Sequence, residues 1–268
     1  MNTLAARIAA LGFAAPLLLL SSARVEAGPA WPVQGRQGLV AAVFPPPKGA
    51  QRVPVGPSSF GEFLRQLPVR PAGTPVLLHN GEPKRRQDIH AAVLDIDTGS
   101  RDLQQCADAV MRLRGEFLWA GGRPKQACFI SAAGKKLQFS GGSYPAFRRW
   151  LDTVYTWANT GSLRKQLIPV ADPSKAEPGD VFVVGAGGGL PFGHAVLVVD
   201  VVQDAKGQRW LLLGQSYMPA QDIHILKNMH HPEHGTWFAA RADGGMTTPE
   251  WQFAAGALRR FGSTECGR

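Results

Sequence analysis

The chain contains few cysteines, no internal repeat and no long apolar run beyond its N-terminal region. Only three of its 268 residues are cysteine, which excludes a small disulfide scaffold and leaves at least one thiol over. No run of about 20 apolar residues, the length that a membrane-spanning helix requires, is present. The hydrophobic content of 44% is sufficient for a packed core, so wholesale disorder is excluded as well.

The first 27 residues have the pattern of a secretory signal peptide. Arg7 precedes a short apolar run, and the segment ends in Val25-Glu26-Ala27. We therefore expect cleavage after Ala27 and a secreted or periplasmic protein, a retained N-terminal anchor being the alternative. Residues 28–57 are rich in glycine and proline and predict an extended lead-in, and residues 58–268 are expected to form a single domain.

The formal net charge is +9, which would draw an exported protein to anionic surfaces such as wall polymers. The basic residues are scattered in short groups, without zinc-finger spacing or a ribonucleoprotein motif, so we expect a solvated basic face and no nucleic-acid partner. The glycines at 185–189 lack the Lys-Ser/Thr of a phosphate-binding loop. The sequence therefore predicts no cofactor and a flexible loop at this point.

Apolar spacing predicts helices in the first part of the chain and strands in the last third. One helix is capped by Ser59, and the strongest is capped by Asp102 and carries Cys106 in its first turns. Another helix is predicted over 146–158. Strands are predicted over 76–79, 92–97, 181–184, 195–202 and 210–214, followed by a loop-rich tail from 219. This order favours an α+β fold over alternating α/β.

Cys106 and His194 are the candidate catalytic pair. The start of a helix favours a thiolate, which is the form of cysteine that attacks a carbonyl. His194 opens an apolar strand, from which its imidazole can take the thiol proton and later return it to the leaving group. The alternative for Cys106 is a buried structural cysteine, since this residue type is often found in cores.

Gln215 is the candidate to orient the His194 imidazole. A hairpin turn centred between Ala205 and Lys206 would place His194 opposite Tyr217 and one step from Gln215. A third polar group commonly holds a catalytic histidine in position. The alternative is that Gln215 is simply a polar residue at the end of an edge strand.

The order of these residues resembles the NlpC/P60 and CHAP branch of papain-like cysteine hydrolases. The matching stretches, within about residues 100–217, are QQCAD at 104–108, PGDVF at 178–182, GHAVLV at 193–198, and Gln215. The resemblance implies a papain-like fold, with the nucleophile helix packed on an antiparallel sheet, and cleavage of an amide bond in a peptide or peptidoglycan-like substrate. Gln105-Cys106-Ala107 departs from the Asp-Cys-Ser/Gly pattern, so a non-catalytic binding module on the same fold is the alternative.

Two longer blocks resemble a family of secreted bacterial proteins described only as a domain of unknown function. They are DLQQCADAVMRLR at 102–114 and QSYMPAQDIH at 215–224. This resemblance implies no activity, but it indicates that both ends of the candidate site belong to the family's signature.

Several other residues are candidates for secondary roles. The Cys106 N–H, with the side chain of Gln104 or Gln105, is the expected oxyanion hole. Asp95 and Asp97 would share one face of a strand and could bind a substrate amine or a metal, or be solvated strand-end carboxylates.

The histidines near the C-terminal end offer a weaker metal-dependent alternative. His230 and His234 would share a face only in a helix, which Pro232 opposes, so we expect no metal site there. Cys128 and Cys266 can pair in an oxidising compartment, which would leave Cys106 as the reduced thiol.

Overall fold

The computed structural model describes residues 29–35 and 37–266, so the signal peptide predicted for residues 1–27 lies outside the described residues. The α-helices of the described part are α1 (Val40–Val43), α2 (Phe60–Arg65), α3 (Cys106–Ala120), α4 (Tyr144–Trp157) and α5 (Thr160–Gln166). The strands are β1 (Gly38–Leu39), β2 (Ala50–Arg52), β3 (Pro68–Val69), β4 (His90–Val93), β5 (Cys128–Ile130), β6 (Lys136–Gln138), β7 (Ile168–Pro169), β8 (Val181–Val184), β9 (His194–Asp204), β10 (Arg209–Gln215), β11 (His224–Leu226), β12 (Trp237–Ala239), β13 (Met246–Thr247), β14 (Gln252–Phe253) and β15 (Leu258–Arg260).

A nine-stranded antiparallel sheet forms the centre of the molecule. Its main order is β4-β11-β10-β9-β8-β15-β7, with β12 also paired to β10 and β2 to β9. The predicted α+β class with an antiparallel sheet is confirmed. No helix in residues 29–35 and 37–266 has the length and apolarity needed to cross a membrane.

The central strand β9 is buried on both faces, which explains its almost continuous apolar sequence. Ala195, Leu197 and Val199 belong to the cluster that also contains the apolar face of α3. Val196 and Val198 belong to a second cluster on the other side, with residues of β8 and β10. Because successive side chains of a strand point to opposite faces, a strand covered on both faces needs apolar residues at successive positions.

A β-bulge interrupts the pairing of β9 with β10. Leu212 pairs with Asp200, whereas the next residue, Leu213, pairs with Val198. The register beyond the bulge is the one predicted from a turn between 205 and 206. Asp200 is fully buried at this point and accepts hydrogen bonds from Nε of Arg52 (2.7 Å) and Nε of Arg65 (2.6 Å). These partners are needed because an unpaired buried carboxylate is strongly unfavourable.

The segment predicted as an extended lead-in is part of the folded core. Within residues 28–57, β1, α1 and β2 form, and β2 pairs with the outer half of β9. Trp31, Val40 and Phe44 are buried in the main apolar cluster. The glycine and proline content concealed these contacts, because three separated apolar residues leave no periodic pattern.

The cap of α3 differs from the prediction. The helix begins at Cys106 with Gln105 as its N-cap, and Asp102 instead accepts hydrogen bonds from Nε2 of Gln105 (3.0 Å) and N of Ala220 (2.7 Å). Cys106 is therefore the first residue of the helix. By contrast, the predicted cap of α2 is confirmed, since Oγ of Ser59 accepts from the Glu62 N–H at 3.2 Å.

Strand predictions outside the centre of the sheet were less accurate. The strand predicted over 92–97 is β4, which ends at Val93, and the region 76–79 forms only isolated bridges. The tail predicted as loops contains β11 to β15. These strands have two or three residues each, too few to show an alternation in sequence.

A disulfide joins Cys128 on β5 to Cys266, a pairing that the sequence allowed but did not determine, and leaves Cys106 as the free cysteine. The bond closes a segment with a sequence separation of 138 residues. Closing so long a segment restricts the unfolded chain and thereby stabilises the folded one.

We predict that Cys128→Ser lowers the free energy of unfolding by about 2–5 kcal/mol. Cys266→Ser should have the same effect, and the double variant should be no less stable than either single variant. Urea unfolding of the oxidised proteins measures this. Unfolding curves of the single variants that coincide with that of the wild type would contradict it.

Candidate functional site

A groove of about 390 Å³ opens at the start of α3, and we call it the Cys106 groove. Its walls are the start of α3, the junction of α4 and α5, the loop that precedes β9, and Met218. The segment 185–189, predicted as a flexible loop, contributes Ala186, and the residues that follow it contribute Pro191, Phe192 and Gly193. The groove thus brings the free thiol next to the residue that precedes His194.

The Cys106 thiol is buried at the point where α3 meets the beginning of β9. Burial, with a further contribution from the Asp108 carboxyl, raises the pKa of Cys106 to about 11. The backbone N–H groups of Ala195, Ala107 and Cys106 itself partly oppose this rise. The helix start therefore supplies donors to the sulfur, as predicted, but the thiol is uncharged near neutral pH.

Gly193 permits the close approach of the groove loop to α5. A Cβ atom at this position would lie 2.2 Å from Oγ1 of Thr160 and 2.3 Å from the carbonyl oxygen of Val184. Only glycine fits such contacts. A glycine at 193 is therefore required where the chain passes between α5 and β8 and continues into β9 at His194.

His194 and Gln215 are hydrogen-bonded, with 3.0 Å between His194 Nε2 and Gln215 Oε1. The Gln215 amide nitrogen donates to Oε2 of Glu250 at 2.7 Å, so its oxygen is the atom that accepts from the imidazole. This network assigns the proton of the neutral ring to Nε2 and leaves the lone pair on Nδ1. Burial lowers the pKa of His194 to about 4, so the ring is neutral at physiological pH.

Glu250 and Lys84 extend this network and were missed by the sequence analysis. Lys84 Nζ lies 2.7 Å from Oε1 of Glu250, and both side chains are nearly buried. Lys84 also lies 5.0 Å from the centre of the Tyr217 ring. Glu250 falls in the tail predicted as loops and Lys84 in a basic run predicted as solvated. No local sequence signal connects them to His194.

Aromatic side chains surround the imidazole. The ring centres of Tyr217, Trp251 and Phe253 lie 4.8, 5.0 and 5.9 Å from that of His194. His194 is only 2% exposed as a result. The predicted proximity of Tyr217 to His194 is confirmed, and the other two rings come from the same tail as Glu250.

The thiol and the imidazole are not hydrogen-bonded to each other in the described part of the chain. Cys106 lies at the helix start and His194 at the strand start, and the N–H of Ala195, directly after His194, contributes to the environment of the sulfur. Because side chains alternate along β9, the His194 ring, which packs on Trp251 and Phe253, lies on the face of the strand opposite to Ala195 and α3. Thiol and imidazole are thus near the same strand start, and each is in its neutral form.

The side chains proposed for the oxyanion hole occupy different positions. Gln104 is buried, accepts from Nη1 of Arg112 at 3.0 Å and does not line the groove, so its predicted role is not supported. Gln105 lines the groove and donates from Nε2 to Asp102. The Cys106 N–H, at the first helical position, has no intrahelical acceptor.

Asp95 and Asp97 are structural and do not line the Cys106 groove. Asp95 is fully buried and accepts from the backbone N–H groups of Gln34 and Gly35, each at 3.0 Å. The interpretation of a solvated strand-end carboxylate is wrong for it. Asp97 pairs with Arg112 and Arg148, and although burial acts in the opposite direction, these guanidinium groups hold its pKa below the usual range.

An exposed cluster outside the groove offers ligand atoms for a metal. The ligand atoms of His231, Glu233 and His234 lie within 4.8 Å of one another, and His230 does not belong to this cluster. The cluster surrounds a 3₁₀ turn at Pro232–His234 and does not line the Cys106 groove.

Asp108 lies one half-turn from Cys106 and also faces the groove. Its Oδ2 accepts from the Gln105 N–H at 3.1 Å, while its Oδ1 is buried without a partner in the described residues. Burial raises the pKa of Asp108 to about 8. The site thus contains a carboxyl group that is protonated at neutral pH.

The family model described as domain of unknown function (4846) matches residues 40–141 and 140–260. The chain therefore belongs to this family, in agreement with the resemblance seen in the two long blocks. The matched ranges include Cys106, His194, Gln215 and Glu250. No curated protein and no solved structure matches the chain.

We predict that His194 carries its proton on Nε2 in the wild type and remains neutral down to about pH 5, because its pKa is lowered to about 4. Long-range ¹H–¹⁵N correlation spectra should show Nδ1 as the unprotonated nitrogen. In Gln215→Ala, which removes the acceptor, a larger share of the other tautomer is expected. A wild-type ring protonated on Nδ1 would contradict the assignment.

We also predict that Asp108→Asn becomes increasingly stable relative to the wild type as the pH rises from about 4 to about 8. In this window the unfolded wild type has lost a proton that the folded protein still holds, so its stability decreases by at most about 1.4 kcal/mol per pH unit. Urea unfolding at pH 5 and pH 8 measures the difference. Asp152→Asn, on the outer side of α4, is the control, and a difference independent of pH would contradict the buried carboxyl.

Proposed function

We propose that this member of the family is a papain-like thiol hydrolase that cleaves an amide or peptide bond. Cys106 would be the nucleophile, His194 the base and then the acid, and Gln215 the residue that positions the imidazole. The observation that carries the proposal is the His194–Gln215 hydrogen bond, because it leaves the lone pair on Nδ1, the nitrogen free to accept a thiol proton.

The neutral state of both groups determines how the reaction would begin. With the pKa of Cys106 at about 11 and that of His194 at about 4, a resting thiolate–imidazolium pair is disfavoured. The thiol proton would instead pass to Nδ1 as Sγ bonds to the substrate carbonyl carbon. Gln215 would accept from the resulting imidazolium, and Glu250, hydrogen-bonded to Gln215, supplies negative charge nearby.

The remaining steps follow from proton balance. The Cys106 N–H supports the oxyanion of the tetrahedral intermediate, with Gln105 as a second donor if it releases Asp102. The C–N bond then breaks, and the amine leaves with the proton from Nδ1. Water attacks the thioester, gives a proton to Nδ1 and releases the acid, and that proton returns to Sγ.

The substrate expected from the NlpC/P60 resemblance is a peptide or a peptidoglycan-like peptide. The predicted signal peptide and the net charge of +9 support an exported protein that works near anionic wall polymers. The proposed location and substrate class thus rest on the sequence and not on the geometry of the site.

A non-catalytic binding module is the second candidate. It is favoured by the absence of a hydrogen bond between thiol and imidazole in the described residues and by the high pKa of Cys106. In this case the groove would bind a peptide without forming a thioester.

Alkylation of Cys106 by iodoacetamide distinguishes the two. For a hydrolase, we predict that the wild type reacts faster than His194→Ala at pH 7.5, because the imidazole can take the thiol proton. Since Cys128 and Cys266 are paired, Cys106→Ser is the unlabelled control. Identical rate profiles of wild type and His194→Ala would exclude the catalytic pair.

Turnover provides the complementary measurement. With peptidoglycan fragments analysed by mass spectrometry, we expect Cys106→Ser to abolish cleavage and His194→Ala to lower kcat/KM by about 10²–10⁴-fold. Fragment binding without cleavage, unchanged in Cys106→Ser, would establish the binding module.

A further inference from the structure

Two buried oxygen atoms without hydrogen-bond partners lie at the Cys106 groove. In the described part of the chain, neither Asp108 Oδ1 nor Tyr155 Oη has a partner. Asp108 comes from α3 and Tyr155 from α4, both residues line the groove, and each is 7% exposed. Since buried polar atoms in native proteins are nearly always hydrogen-bonded, two such atoms on residues that line one groove indicate a place for a ligand or a water.

The charge of the groove indicates the sign of that ligand. Among the described residues its lining contains two acidic side chains, Asp102 and the uncharged Asp108, and neither a lysine nor an arginine. This is the reverse of the whole chain, whose formal net charge is +9. The groove therefore favours a cationic group over the anionic surfaces that the rest of the protein attracts.

The outer part of the groove is apolar. Pro191, Phe192 and Met218 line it, and the latter two are 58% and 38% exposed. Large apolar side chains exposed beside a buried polar pair suit a ligand that carries an apolar group near its charge.

We propose that the Cys106 groove binds the protonated primary amino group of a substrate at Asp108 and Tyr155, with the adjoining apolar side chain against Phe192 and Met218. This assignment rests on the proposed function and names its substrate class, a peptide or amide with a free amino group. The ammonium donates to Asp108 Oδ1 and to Tyr155 Oη, the two atoms that lack a partner.

The electrostatics of the two side chains agree with this role. Burial raises the pKa of Asp108 to about 8, because no counter-charge beside the carboxyl compensates for its lost hydration. An ammonium in contact would supply that charge and favour the ionised form. Burial also raises the pKa of Tyr155, although the nearby guanidinium groups of Arg112 and Arg148 act in the opposite direction. Its hydroxyl therefore stays protonated and can accept from the ammonium through a lone pair.

The test compares L-phenylalaninamide with N-acetyl-L-phenylalaninamide, which has the same side chain but no ammonium. Binding to Cys106→Ser is measured by calorimetry or NMR titration at pH 7, so that turnover plays no part. We expect the free amine to bind about 10-fold more tightly or better, because a hydrogen bond between charged groups is lost on acetylation.

Variants of the polar pair complete the test. In the Cys106→Ser background, Asp108→Asn should remove the preference for the free amine and Tyr155→Phe should reduce it, whereas the control Asp152→Asn should leave it unchanged. Equal binding of the two probes, or a preference that survives in Asp108→Asn, would overturn the assignment and leave a water-filled pocket only. The binding measurement tests the amine site and the alkylation measurement tests the catalytic pair. Either proposal can therefore be contradicted while the other is supported.

Discussion

The antiparallel pairing of β9 with β10 is the constraint on which both the core and the candidate site depend. It holds the central strand with apolar clusters on its two faces, and it brings His194 at one strand start within 3.0 Å of Gln215 at the other strand's end. The bulge at 198–200 matters because it sets the register beyond it. A slip of one residue would turn each side chain to the opposite face of the sheet and separate the pair.

Burial has opposite consequences for the groups of this site. It holds the imidazole, the thiol and the Asp108 carboxyl in their neutral forms, since charge is costly away from water. It also strengthens each hydrogen bond that remains, including the chain from Lys84 through Glu250 and Gln215 to His194. The thiol, the imidazole and the Asp108 carboxyl are thus uncharged at rest, and the Lys84–Glu250 ion pair is the charged part of the network.

Local patterns predicted those parts of the site that lie on regular elements. Helical spacing located α3, and an apolar run located β9, so Cys106 and His194 could be assigned to a helix start and a strand start. The cap of α3 was placed at Asp102 instead of Gln105, because both residue types accept hydrogen bonds and only the local conformation selects between them. Glu250 and Trp251 could not be found, since they lie in the turn between β13 and β14, where no periodic pattern exists.

The sequence by itself determined the α+β class, the presence of at least one unpaired thiol, the strand that carries His194 and the hairpin that places Gln215 beside it. These are properties of neighbouring residues, governed by periodicity, turn chemistry and the number of cysteines. Only the tertiary structure decided that the lead-in joins the core, that Asp95 is enclosed by backbone donors, and that Asp108 and Tyr155 face one groove. These contacts join residues far apart in the chain, and their energies come from burial, which no local pattern records.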